Sequence, residues 1–373
     1  MSATPRFANL DKLRGFAALS VVLYHVIEHT HWTTYPTSGL FFWGRIGWMG
    51  VDLFFVISGL VITYSAWSLY HTQGVDWKSH YWRRRLTRIV PLYLLTSAMY
   101  VTLVQPEWMS VSIKGILWHG VTHLLFIHNL FPGTHGSING VNWSIGVEMQ
   151  FYFLVALVLP WIVRTSALVL IATFFTIAWA WRAAVFGLLG DQGAFLLFQY
   201  TTQLPGTLDQ FVLGILLCKI MLDPKYVSVA EWIKQHYAIV ILGGLVTGIV
   251  MFSIYINHAD YWPNNWMVIF FRTLIGAAAC AIILSATLWP WKVPRIMSRP
   301  LDFLGEISYG IYLWHLPVIF SLKRLGVGPG FPFLVWTLFV TIILATLSYY
   351  LFERSWMRSA RLKPQGQLNL SLP

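Results

Sequence analysis

A succession of apolar stretches constrains this chain more than any other feature. Each is about 20 residues long, enough to cross the hydrocarbon core of a bilayer as a helix. They lie at 10–29, 49–70, 89–105, 143–163, 166–188, 200–221, 237–257, 266–290, 303–322 and 331–352. In lipid, every backbone N–H and C=O must find its partner within the protein, which leaves helices and closed barrels, and runs of this length demand helices. The fold expected is all-α, a polytopic membrane helix bundle of about ten transmembrane helices.

Composition agrees. Of 373 residues, 57% are apolar and only 10% charged, and mean hydropathy is +0.63; a soluble domain carries about 25% charged residues, so a soluble enzyme is excluded. The chain's 20 Trp and 17 Tyr suit the headgroup level, where amphipathic rings collect. A net charge of +11 would point to nucleic acid in a soluble protein. Here the positive-inside rule accounts for it, and the partners expected are membrane lipids, not nucleic acid. Cys218 and Cys280 sit in separate apolar runs, form neither a metal spacing nor a disulfide framework, and leave the redox compartment open. The first apolar run is preceded by Arg6, Asp11 and Lys12 and contains Arg14, so it reads as a retained helix and not as a cleavable signal.

Residues 113–130 form an eleventh apolar run, interrupted by His119, His123 and His128. With ten spans and the N-terminus inside, all of the 25 Lys and Arg except Arg45, Lys114, Arg182, Arg272, Lys323 and Arg324 fall on the cytoplasmic side. An eleventh span would invert everything after it and put the basic C-terminal tail outside. The segment is therefore expected to be interfacial or re-entrant on the outer side, with both termini cytoplasmic. No fixed-period repeat or linker divides the chain, which reads as one integral-membrane domain over 1–363 and a short cytoplasmic tail over 364–373.

An ionisable side chain at membrane depth costs about 2.5–3.5 kcal/mol on insertion scales, so each one calls for a reason. The set here is Arg14, His25, Asp52, Glu148, Asp209, Arg272, His315 and Glu353. Pairing between helices, or snorkelling to an interface, is the structural alternative for every one of them. Arg14 and His25 differ in acting together: the residues between them turn a helix through three turns plus about 20°, which puts both on one face about 16 Å apart along the axis. Arg85 and Arg88 share a face on the third helix. They serve as topology signal or as a phosphate clamp, since guanidinium forks match phosphate oxygens.

Asp52, Glu148, His25 and His315 all reach the outer half of the bundle in this topology. A histidine oriented by a carboxylate is the usual general base for a hydroxyl nucleophile; a buried His–carboxylate lock between helices is the alternative. His315, beside Pro317, reads as a hydrogen-bonded core histidine ahead of a catalytic one. Metal is not expected: there is no HExxH or CxxC spacing, and His119/His123 lacks a third ligand. Nucleotide-binding glycine motifs and the G-x-S-x-G elbow are likewise missing.

Taken in order, six fragments form a pattern: Leu10-Asp11-Lys12-Leu13-Arg14-Gly15 with Tyr24-His25; Gly50-Val51-Asp52-Leu53-Phe54-Phe55-Val56-Ile57-Ser58-Gly59; Arg85-x-x-Arg88 with Ile89 and Pro91; Trp143-Ser144 through Glu148, Gln150, Phe151 and Tyr152; Ile307-Ser308-Tyr309-Gly310-Ile311-Tyr312-Leu313-Trp314-His315; and Ser348-Tyr349 with Glu353. From Asn9 to about Trp356 the chain resembles the integral-membrane acyltransferase-3 family, which includes O-acetyltransferases of bacterial surface polysaccharides. Departures are Lys12 where Gly is common, Gly146 and Met149 around Glu148, and Arg354-Ser355-Trp356 after the last Glu.

The resemblance implies ten core helices in the bacterial cytoplasmic (inner) membrane and an acyl-CoA donor, acetyl-CoA or an analogue such as succinyl-CoA, from the cytoplasm. It implies as acceptor a hydroxyl of a surface, exported or lipid-linked carbohydrate, or of a macrolide. Arg14 and His25 carry over as the first-helix motif and Arg85 and Arg88 as the Arg-x-x-Arg motif. On this expectation Arg14, Arg85 and Arg88 bind the donor's phosphates, and His25 takes the hydroxyl proton with Glu148 or Asp52 orienting it. Some relatives carry a hydrolase-like domain after the core; this chain, ending soon after its last apolar run, is expected to pass the acyl group directly to its acceptor or to a separate partner. A proton-coupled transporter using the same buried charges is the alternative from another class.

Overall fold

The computed structural model describes residues 8–107, 112–288 and 295–359. The tail at 364–373, with Arg6, Lys292, Arg361 and Lys363 of the charge argument, lies outside the described residues. Helices follow one another as α1 (Ala8–Thr30), α2 (Gly50–Thr72), α3 (Trp77–Met99), α4 (Ile113–Leu124), α5 (Pro132–His135), α6 (Asn142–Arg164), α7 (Ala167–Leu189), α8 (Ala194–Thr201), α9 (Leu204–Leu222), α10 (Val227–Gln235), α11 (Tyr237–Asn257), α12 (Asn265–Leu288), α13 (Arg295–Glu306), α14 (Ser308–Arg324), α15 (Phe331–Ser348) and α16 (Arg354–Ser359). Among the described residues there is no strand.

Among the described residues eight helical stretches are long and apolar enough to cross a membrane, and the chain is a helical, multi-pass membrane protein. Two other expected spans, α1 and α14, are helices that fall outside that group. Charge accounts for the first, since α1 carries Asp11, Lys12, Arg14 and Glu28. Length accounts for the second: α14 has 17 residues, because the expected 303–322 run breaks at Ile307. There α13 ends, Ser308 Oγ turns back to the Gly305 carbonyl at 2.8 Å, and the charged face of α13 is tied to α1 by Lys12–Asp302 at 2.8 Å. The expected 200–221 run breaks similarly before Leu204, where Pro205 occupies the first turn of α9, a position at which its missing N–H costs nothing.

At the centre, α2 and α9 cross at Gly59 and Gly214, where a Cβ on either would strike the backbone of the other helix. Small residues of this kind let helices approach in lipid, where packing replaces the hydrophobic drive. Around them pack α1, α6, α7 and α12. No residue of α11 is buried, so it forms an outer, lipid-facing layer on α12. The histidine-bearing 113–130 segment holds a helix of 12 residues, about 18 Å long and too short to cross, followed by tight turns through left-handed Phe126 and Asn139.

Candidate active site

Two of the interior clusters of polar groups, among the described residues, hold most of the expected site residues. The first gathers Arg14, Arg85, Arg88 and Glu148. Arg85 enters because its helix turns it inward: it is buried, its NH2 donates to Ser65 Oγ at 2.8 Å, and its guanidinium lies 5.9 Å from the ring centroids of both Tyr81 and Tyr152. Arg88 exerts its field on Tyr152 and on the buried Glu353 of the final helical stretch. Arg14 lies within the fields of Arg88, Asp11, Glu148 and Tyr152. Glu148 Oε1 accepts from Ser58 Oγ at 2.5 Å and from Tyr152 Oη at 2.8 Å, and Tyr81 Oη donates to the Tyr152 carbonyl at 3.0 Å.

Three guanidinium groups thus share one part of the buried interior with Glu148. The buried Nε atoms of Arg14 and Arg85 have no acceptor among the described residues. Orphaned cationic donors of this kind fit an anion with several oxygens, such as the phosphates of an acyl-CoA.

The second cluster centres on His25, three turns along α1 from Arg14. Its Nδ1 lies 2.9 Å from His315 Nε2, with ring centroids 5.0 Å apart and planes 23° apart. His29 stacks on the other side at 5.6 Å, and its carbonyl accepts from Lys323 Nζ at 2.6 Å. Below His315 on α14, Tyr312 Oη bonds Ser144 Oγ at 2.7 Å, and Tyr309 Oη donates to the Ile89 carbonyl at 2.9 Å. The Tyr309–Tyr312–His315 spacing therefore carries polar groups from one cluster up to the other.

The expected His25–carboxylate pair is not formed. Glu148 belongs to the arginine cluster, held by Ser58 and Tyr152. Asp52 faces α9 and α12, where its Oδ1 pairs with Arg272 NH1 at 2.7 Å and accepts from Gln210 Nε2. Next to it, Asp209 pairs with Arg182 and accepts from Thr273 at 2.5 Å. His25 points instead to α14, so the residue beside it is the histidine that reads in the sequence as core. Ser58 and Tyr152 enter the sequence only as members of the family-like fragments, and Gln210 not at all, because a hydroxyl or amide on an apolar helix gives no sign of its role until its partner helix is known. Among the described residues no group of three or more His, Cys, Asp or Glu side chains is placed to hold a metal.

A family model described as an acyltransferase domain matches residues 7–353. The chain belongs to the acyltransferase-3 family. Among its relatives are the O-acetyltransferase OatA of Staphylococcus aureus, 27% identical over 94% of this chain and 57% of OatA, and the putative membrane-bound transacylase BcsY of Komagataeibacter xylinus, 29% identical over 94% of this chain and 83% of BcsY. A third is the putative peptidoglycan O-acetyltransferase YrhL of Bacillus subtilis, 27% identical over 92% of this chain and 54% of YrhL. The chain thus spans little more than half the length of OatA and YrhL. No solved structure matches. All residues of both clusters in this acyltransferase-3 chain lie within the matched span.

Proposed function

We propose that this protein is a membrane-bound O-acyltransferase that moves an acyl group, acetyl in the simplest case, from cytoplasmic acyl-CoA to a hydroxyl of a bacterial surface or exported carbohydrate. The observation that carries this reading is the placement, in one acyltransferase-3 bundle, of buried unpaired guanidinium donors at one level and a hydrogen-bonded imidazole three turns along α1. Arg14, Arg85 and Arg88 bind the donor's phosphates, which holds the thioester toward His25. His25 Nε2 takes the proton as the acceptor oxygen attacks the thioester carbonyl; the C–O ester bond forms, the C–S bond breaks, and the thiolate leaving group is protonated to free coenzyme A. Glu148 acts within the arginine cluster as counter-charge. The relatives' names, O-acetyltransferase and transacylase, support carbohydrate O-acetylation over transport.

The same reading takes α1 and α14 as spans beside the eight long apolar ones, with both termini cytoplasmic in the inner membrane. The excess of Lys and Arg on that side supports it. Interior helices tolerate charge that lipid-facing ones do not, and α1 is enclosed by α2, α13 and α14.

The test is His25→Ala in membranes given radiolabelled acetyl-CoA. Label transfer to the glycan fraction is expected to stop while the protein remains inserted and thermally stable. Transfer at the wild-type rate would remove His25 as the base.

A further inference from the structure

We infer that His315 is a positioning residue that fixes the tautomer of His25, doing with an imidazole what a carboxylate does in a hydrolase triad. The inference rests on the acyl-transfer reading of His25 and concerns which of its nitrogens carries the proton.

The argument starts at the backbone. His315 Nδ1 lies 3.3 Å from the Ile311 carbonyl, one turn back on α14. A carbonyl oxygen only accepts, so Nδ1 carries the proton, and in a neutral imidazole Nε2 is then an acceptor. That acceptor is the atom 2.9 Å from His25 Nδ1. His25 must therefore donate from Nδ1, which leaves Nε2 with its lone pair free. His25 Nε2 has no partner among the described residues and is not among their fully enclosed, unpaired atoms, so it can meet an incoming hydroxyl.

The relay runs in one direction: the Ile311 carbonyl orients His315, His315 orients His25, and His25 presents a bare nitrogen. With the opposite tautomer, His25 Nε2 would carry a proton and could not accept the one from the acceptor hydroxyl. His315 is fully buried and its ring plane lies 23° from that of His25, so the donor–acceptor line is held by packing from both helices. No carboxylate touches either ring among the described residues, which is why the role falls to this residue.

Three substitutions separate this role from a structural one. His315→Gln places an amide oxygen near the former Nε2 and keeps the acceptor. His315→Asn reaches only the Nδ1 position, and His315→Leu keeps bulk alone. With radiolabelled acetyl-CoA as probe and native membranes supplying the acceptor, Leu and Asn are expected to lower kcat about tenfold or more, with the KM for acetyl-CoA unchanged, and Gln to restore kcat to within a few-fold of wild type. The inference is overturned if Leu keeps wild-type kcat, if Asn rescues as well as Gln, or if Gln is as poor as Leu while inserted and stable. His25→Ala in the same assay distinguishes the two layers: activity without His25 defeats the acyl-transfer role itself, whereas a dead His25→Ala beside a fully active His315→Leu defeats only the tautomer relay.

Discussion

Ser58 on α2 donates a hydrogen bond to Glu148 on α6 at 2.5 Å, on the same carboxylate oxygen that Tyr152 reaches from one turn further along α6. A hydroxyl from a neighbouring helix and a phenol from its own helix thus hold an acidic group that lies within the field of Arg14. The carboxylate is aimed at the cations, away from the imidazoles.

Replacing Glu148 by Gln keeps an acceptor for Ser58 and Tyr152 and removes the charge. Transfer is expected to fall about tenfold or more, because the arginines lose their counter-charge. The melting temperature in detergent should hardly move, since interhelical hydrogen bonds in lipid average about 0.6 kcal/mol. Unchanged kcat/KM would show that Glu148 is only a helix tie, and Ser58→Ala gives the baseline for that outcome.

Arg85→Lys tests the shape of the anion site as well as its charge. The guanidinium lies over Tyr81 and Tyr152 and bonds Ser65; an ammonium keeps the charge but loses the planar fork. Charge-assisted hydrogen bonds contribute about 1.5–3 kcal/mol, so the KM for acetyl-CoA should rise about tenfold or more. An identical KM in Arg85→Lys and Arg88→Lys would reduce both to topology signals.

Asp52 and Arg272 form a buried pair across α2 and α12, and breaking such a pair from one side costs about 3–5 kcal/mol because the other charge is stranded. Asp52→Asn should therefore lower the melting temperature sharply, and adding Arg272→Leu should recover much of the loss. If Asp52→Asn abolishes transfer at full stability instead, the carboxylate has a chemical role.

The turns after α4 carry a pH dependence. Burial pushes His128 down to about 3 and His135 to about 4 from an ordinary 6.5. Between 6.5 and about 4 the unfolded chain binds protons that the folded one refuses, so stability is full above 6.5 and declines as pH falls, by about 1.4 kcal/mol per pH unit for each histidine. His128→Phe should flatten the fall in melting temperature between pH 6.5 and 4.5. A slope equal to wild type would mean that this histidine is protonated in the fold.

The sequence by itself determined the solvent and the elements. Runs of about 20 apolar residues allow nothing but helices in lipid, and the helices lie where those runs are, except where Pro205 and the turn at Ile307 cut two of them short. Arg14, His25, Arg85 and Arg88 were legible as a set because a charge in such a run is conspicuous and helix geometry puts pairs on one face. Only the tertiary structure decided which helix each face meets. Asp52 and Glu148 are equally acidic and similarly deep in the sequence, yet α2 turns Asp52 to Arg272 while α6 turns Glu148 to the arginine cluster. His315 reads in the sequence as a hydrogen-bonded core histidine and is buried as one, but only the packing of α14 on α1 decided that His25 is its partner. Rotation of one helix against another is fixed by close packing, as where Gly59 meets Gly214, and a linear pattern of apolar residues carries almost no information about that angle when lipid and protein interior are equally apolar.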